Sequence, residues 1–314
     1  MSELNRALDA YLRLRRSLGA ELRGPEVTLR RFVEFLEAKG AAFVTTDLAL
    51  RFATASETVA PATRAQRLGD IRRFAAFLSV SDPRTEIPPR RLLPERYRRC
   101  PPYIYSEQEI ARIVGVAARL PSHVGLRGHT CATLFGLLAS TGLRLGEAVG
   151  LDRDDVDLAA GILTVRRAKY GKSRLVPMHD TTTAALSEYG HARDRLVPRS
   201  ASPAFFLSER GRRLLRSTAQ YNFAVVSRIV GLRPPTTMNR HGRGPRIHDL
   251  RHALAVHVLI GWYREGRDVE RELPRLSTYL GHVHIADTYW YISGVPELLE
   301  LATERASAPR EVAR

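Results

Sequence analysis

Apolar residues recur at three- and four-residue spacing through the first eighty positions. Leu4, Leu8, Tyr11 and Leu12 form one stripe; Val27, Leu29, Phe32, Val33, Phe35 and Leu36 form a second. Each stripe fits one face of a helix, over 3–18 and 26–39, with Gly19 and Lys39-Gly40 as stops. Thr45-Thr46-Asp47 offers side-chain oxygens to the free N–H groups of a first helical turn, so a third helix is expected to about Ala55. Pro61 opens a fourth. It turns Leu68, Ile71, Phe74, Ala75 and Leu78 inward and Arg64, Arg67, Arg72 and Arg73 outward. The pattern predicts a small helical bundle over 1–82 with one basic face. A basic face on a bundle is, by itself, most simply a solvated surface.

Residues 83–105 break this periodicity. Pro83, Pro88, Pro89, Pro94, Pro101 and Pro102 lack the N–H that helices and sheets need, and Arg98 and Arg99 lie among them. The segment reads as a stiff linker suited to crossing a phosphate backbone, with a domain boundary near residue 100.

Beyond it the pattern becomes mixed. Ser106-Glu107-Gln108-Glu109 has the form of a capping box and opens a helix to about Leu120. A loop over 121–129 precedes an apolar helix over 130–140. Ile162–Val165 and Ser173–Pro177 read as two strands around a basic hairpin tip that carries Lys169 and Lys172, with Arg174 following. Helices are expected over 180–196 and 217–230, with Phe205-Phe206-Leu207 as a buried strand-like piece between them. Residues 233–246 form an arginine- and glycine-rich loop that includes Arg243 and Arg246. After Gly294 one short amphipathic piece, Pro296 to Ala302, remains. The fold class is mainly α with a small β-sheet: an N-terminal helical bundle, then a mixed α/β domain over 106–294 and a tail over 295–314.

Charge sharpens the picture. Lys and Arg number 49 against 33 Asp and Glu, a net charge of +16. Such a balance points to a polyanion, most often nucleic acid, although an arginine-rich composition inflates it without function. Cys100 and Cys131 stand far apart in no metal-like spacing, which fits a reducing cytosol rather than a disulfide framework. The N-terminus lacks a basic segment followed by an apolar one, and the apolar runs are too short to span a bilayer. A cytoplasmic, nucleoid-associated protein is expected.

The chemistry-bearing residues cluster between Gly244 and Ile292. His248 and Arg251 are three apart and share a helix face. Gly281-His282 follows Leu280 at a helix end, and Tyr291 comes nine residues after His282. A phenol can attack phosphorus, a guanidinium can hold the phosphate and an imidazole can handle a proton. Each residue taken alone has a plainer reading. His248 and His252, four apart, have the spacing of two metal ligands, but no carboxylate or cysteine of suitable spacing joins them. No G-x-x-x-x-G-K-[ST] loop and no H-E-x-x-H occurs, so neither metal nor nucleotide is called for. Tyr289 is the rival of Tyr291. The two are about 200° apart on a helix, so only one faces the site, and Tyr289 is expected in the core beside Trp290. His252, His257 and His284 are expected to be structural or surface residues.

This block resembles the C-terminal signature of the tyrosine recombinases, the phage-integrase family. In that family a His-x-x-Arg box is followed by Leu-Gly-His and then, nine residues on, by a nucleophilic tyrosine. The resemblance extends over 106–295. Thr141-Gly142-Leu143-Arg144-Leu145-Gly146-Glu147 is similar to the family's first-arginine box, which implies a catalytic role for Arg144 and a supporting one for Glu147. The basic hairpin is similar to the one that carries the family's catalytic lysine, implying Lys169, with Lys172 as competitor. The implied catalytic set is then Arg144, Lys169, His248, Arg251, His282 and Tyr291. The implied activity is site-specific cleavage and rejoining of double-stranded DNA through a 3′-phosphotyrosyl bond, without cofactors, by a homotetramer on paired sites. His248 would accept the tyrosine proton and His282 would donate to a phosphate oxygen. Arg64, Arg67, Arg72, Arg73, Arg98, Arg99, Lys172, Arg174, Arg243 and Arg246 are the expected DNA contacts. The tail is expected to dock on a neighbouring subunit in the assembly and to rest in cis, or loosely, in the free monomer. The block's H-V-H-I-A-D-T-Y-W-Y ending over 282–291, with Pro296-Glu297-Leu298-Leu299 after it, also resembles recombinases found as trios in bacterial mobile elements, which implies sister recombinases or accessory factors as partners. A type IB topoisomerase-like relaxase and a non-catalytic DNA-binding accessory protein are the alternatives.

Overall fold

The computed structural model describes residues 2–56, 58–94, 101–166, 173–235, 244–282 and 284–307. The chain divides into two compact units, Met1–Cys100 and Pro101–Arg314.

The first unit is built on α1 (Glu3–Ser17), α2 (Arg23–Ala38), α3 (Thr46–Thr54) and α4 (Pro61–Leu78). The two apolar stripes meet: Leu8, Leu12, Leu29, Phe32, Leu36, Ile71 and Phe74 share one core. The Thr45 hydroxyl accepts from the Leu48 N–H at 3.2 Å and so starts α3. The segment expected as a linker is anchored at its start. The Glu86 N–H donates to the Val44 carbonyl at 2.8 Å. Arg72 donates to the carbonyls of Pro88 and Pro89, both at 2.7 Å. Carbonyls in a proline-rich stretch have no ladder to join, and a guanidinium fork meets two of them at once. Arg72 is therefore engaged within the protein, and Arg73 pairs with Asp70. Arg98 and Arg99 lie outside the described residues.

In the second unit Tyr105 is fully buried, and its hydroxyl donates to the Arg246 carbonyl at 3.1 Å. The capping box at Ser106 forms, with the Glu109 N–H on the Ser106 hydroxyl and the Ser106 N–H on the Glu109 carboxylate. It opens α5 (Glu107–Ala118). The next helix, α6 (Leu126–Thr141), starts earlier than expected, since the Ser122 hydroxyl accepts from the Arg127 N–H at 3.1 Å and shortens the loop. After α7 (Leu145–Ala148) comes an antiparallel sheet of order β1-β2-β3, formed by Val156–Asp157, Ile162–Val165 and Arg174–Pro177. Val165 faces Arg174 across the hairpin. Phe205, Phe206 and Leu207 are buried between α8 (Asp180–Leu196) and α9 (Arg216–Ile229). They do not extend the sheet. Among the described residues this buried strand-like piece pairs only through isolated bridges, Asp152 to Ala204 and Leu207 to Arg213.

Four helices complete the unit: α10 (Asp249–Arg264), α11 (Val269–Leu280), α12 (Ala286–Gly294) and α13 (Pro296–Ser307). The tail helix runs past Ala302. It packs in cis against α10 and α12, with Leu298 fully buried beside Leu259, Leu273 and Tyr291. Among the described residues, no helix is long and apolar enough to cross a membrane.

Candidate active site

Two glycines set the frame. Gly142 ends α6 with φ 62° and Gly281 ends α11 with φ 69°, a left-handed turn that a side chain resists. A Cβ at Gly142 would also come within 2.9 Å of Leu254 and Leu280, and one at Gly281 within 2.6 Å of the Arg174 guanidinium. Carbonyls at these helix ends have no partner within their helix. The arginines take them. Arg251 donates through Nη1 to the Gly142 carbonyl at 2.6 Å and through Nη2 to the Leu280 carbonyl at 2.7 Å. Arg144 donates through Nη2 to the Gly281 carbonyl at 2.9 Å. Both guanidiniums are thus oriented by the end of α11, and Arg251 also by the end of α6.

Glu147 organises the next layer. It accepts from Arg144 Nη1 at 2.9 Å and from the Arg144 backbone N–H at 3.0 Å. On its other side it accepts from Arg174 at 3.1 and 2.8 Å. Arg174 also donates to the Tyr279 carbonyl at 3.1 Å, and only 12% of its side chain is exposed. Arg174, expected on DNA, thus ties β3 to α7 and to the end of α11. Arg246, also expected on DNA, pairs with the buried Asp249 at 2.8 Å while half its side chain stays exposed.

Burial alone would raise the Glu147 carboxyl, but the bonds from Arg174 and Arg144 outweigh it and hold it at about 2, against an ordinary 4.5. A carboxyl so depressed stabilises the fold in full above its ordinary value, and this contribution is lost as pH falls toward the folded one. The difference corresponds to roughly 3 kcal/mol. Glu147→Gln is accordingly expected to destabilise the protein by about that much at neutral pH. Between pH 5 and 3 the gap to the parent should close by roughly 2 kcal/mol. Urea unfolding of both proteins across that range measures it, and parallel pH curves would remove Glu147 from this role.

Arg251 is 2% exposed. Burial, and then the nearby Arg144, push its pKa down to about 10, so it stays a cation at neutral pH. His248 caps the start of α10 at an exposed position. Loss of solvent around its ring, then Arg251, shift it toward the neutral form, an effect tempered by its exposure. Its ring meets that of His252 edge-on at 4.8 Å. His252 is buried, and its Nδ1 lies 3.0 Å from the Tyr291 hydroxyl. Tyr291 is 2% exposed, and its ring stacks 6.2 Å from that of His282. His282 Nδ1 lies 2.7 Å from the hydroxyl of the buried Thr288 on α12.

The structure thus brings Arg144, His248, Arg251, His282 and Tyr291 together with Glu147. Lys169, Lys172 and Arg243 lie outside the described residues. Tyr289 is corrected: it is 46% exposed, not in the core, and it is Tyr291 that faces inward. His252, expected as a structural or surface residue, is buried and lies against the Tyr291 hydroxyl. Its one signal in the sequence was its place one helical turn after His248, on the same face.

A mainly helical domain with a three-stranded sheet that gathers two arginines, two histidines and a tyrosine is of the tyrosine-recombinase class. The chain belongs to the phage integrase family, whose sequence pattern matches residues 105–296. It is 45% identical over 309 residues to a Sinorhizobium fredii protein named as an integrase/recombinase, y4rB, covering 97% of both chains. It is 32% identical over 244 residues to the tyrosine recombinase XerD of Caulobacter vibrioides, covering 75% of this chain and 72% of that one. In fold it is similar to the Tn1549 transposon integrase solved with transposon right end DNA. That match has a TM-score of 0.61 at 16% identity and covers 98% of this chain and 100% of that one.

Proposed function

We propose that this protein is a site-specific DNA recombinase that cuts and rejoins strands through Tyr291. The observation that carries this reading is the convergence of Arg144 and Arg251 with the Tyr291–His252 pair at the ends of α6 and α11. The Tyr291 oxygen attacks the phosphorus, the bond to the 5′-oxygen breaks, and a 3′-phosphotyrosyl bond forms. The phenolic proton is taken up on the imidazole side, where His248 stands open to solvent, and Lys169 protonates the departing 5′-oxygen. Arg144, Arg251 and His282 donate to the non-bridging oxygens, where charge builds in the transition state. Attack by a new 5′-hydroxyl reverses the steps and releases the tyrosine. Exchange between two sites requires a tetramer, in which the tail helix docks on a neighbour.

A nicked suicide duplex, selected from a random pool by its affinity for the full-length chain, tests the reading. Loss of the short 5′ fragment should trap the protein on DNA, visible on a denaturing gel, and a parent chain that never forms this adduct would sink the proposal. Relaxation of supercoiled plasmid at no particular site would instead favour a topoisomerase. Affinity for the duplex should fall by about 10³-fold or more between roughly 50 and 200 mM salt, as counterions released by several neutralised phosphates compete back. A flat salt dependence would reduce the +16 charge to a compositional trait.

A further inference from the structure

We infer that His252 is the positioning residue for Tyr291: its Nδ1 accepts the phenolic hydrogen bond and thereby fixes where the nucleophile's oxygen sits. This inference rests on the strand-cleavage reading of Tyr291, though the contact itself does not. His252 is 7% exposed on α10, and the Tyr291 hydroxyl lies 3.0 Å from its ring nitrogen. The neighbouring rings leave this imidazole little freedom. His248 meets it edge-on at 4.8 Å, Trp290 at 5.8 Å and Tyr291 at 5.4 Å. α10 also carries Arg251 one position earlier, so one rigid helix sets both a phosphate-binding guanidinium and the anchor of the attacking oxygen. A nucleophile misplaced by about 1 Å can lose roughly 100-fold in rate.

The environment also keeps His252 an acceptor. Burial, and then the adjacent His248, hold its pKa at about 3, so the ring is neutral at physiological pH. A neutral imidazole has one bare nitrogen, and the phenol donates to it. Such a ring orients the hydroxyl without taking its proton, which separates its part from that of the exposed His248.

Three substitutions separate hydrogen bonding from packing. Leucine fills much of the space but accepts nothing. Asparagine is smaller but sets an amide near Nδ1, and glutamine sets one near Nε2. The first readout needs no DNA: the resonance of Tyr291 in protein labelled with [13Cζ]tyrosine, assigned by its absence in Tyr291→Phe. The second is the rate of adduct formation on the nicked duplex. We expect the resonance to move in His252→Leu and to return toward the parent in His252→Asn. Adduct formation should fall by about 10- to 100-fold in His252→Leu and by only a few-fold in His252→Asn. A purely structural role predicts the reverse order, leucine outperforming asparagine, and that order would overturn the inference, as would an unmoved resonance in His252→Leu. If His252→Leu does not fold, His252→Asn and His252→Gln decide, since only the first restores an acceptor at Nδ1. A parent that forms no Tyr291-dependent adduct would end the recombinase reading, while the resonances would still decide the place of His252.

Discussion

Tyr291→Phe is expected to abolish the covalent adduct with DNA and leave DNA binding unchanged. The substitution removes one oxygen from a ring that stays packed against Trp290 and His252. No other described hydroxyl is paired with the buried imidazole of His252. The cost to folding should be small, about 1 kcal/mol for the bond lost at His252. The cost to chemistry is the whole reaction, since removing a nucleophile lowers turnover by on the order of 10⁶-fold. Tyr289→Phe is the control: that ring is 46% exposed, and its variant should form the adduct at the parent's rate. A denaturing gel after incubation with the nicked duplex reads both. An adduct that persists in Tyr291→Phe and vanishes in Tyr289→Phe would transfer the role to Tyr289.

The parts of this site that were legible in the sequence are those whose function needs a local backbone shape. Gly142 and Gly281 stand where helices must end in a left-handed residue, and the boxes around them name Arg144 and His282 by adjacency. The helical stripes of the first unit were legible for the same reason, since burial on one face forces the 3.6-residue period. What was not legible depends on contacts distant in sequence. Arg174, on a hairpin strand, has the spacing of a solvated cation, and only the fold brings Glu147 to it. Arg72 on an amphipathic helix reads as outward-facing, yet it closes on the Pro88 and Pro89 carbonyls. Phe205–Leu207 has strand-like composition, but among the described residues it pairs only through single bridges. For Tyr289 and Tyr291 the helix period showed only that one of them can face the site. The family spacing pointed to Tyr291, while Tyr289, expected in the core, is exposed.

Arg251→Lys and Arg144→Lys should both cleave DNA at least about 10²-fold more slowly than the parent, for reasons that differ in a measurable way. Each Nη of a guanidinium carries two N–H groups. In Arg251 one from each is spent on the Gly142 and Leu280 carbonyls, and the remaining ones are the donors that the proposed mechanism assigns to the phosphate. Lysine keeps the charge but cannot span both carbonyls and the phosphate. At this buried position it leaves a helix-end carbonyl without its donor, so Arg251→Lys should also lose about 1–3 kcal/mol of stability. Arg144 has a side chain 30% exposed, and it bridges Glu147 and the Gly281 carbonyl from the rim. Arg174 still holds Glu147 when Arg144 is replaced, so Arg144→Lys should lose cleavage with little change in melting. Single-turnover adduct formation, measured beside thermal melting and duplex affinity, separates the two effects. Near-normal cleavage in either variant would remove that arginine from the phosphate. Equal melting losses in both would mean that the two guanidiniums serve the helix ends alike, and that the division drawn between them is wrong.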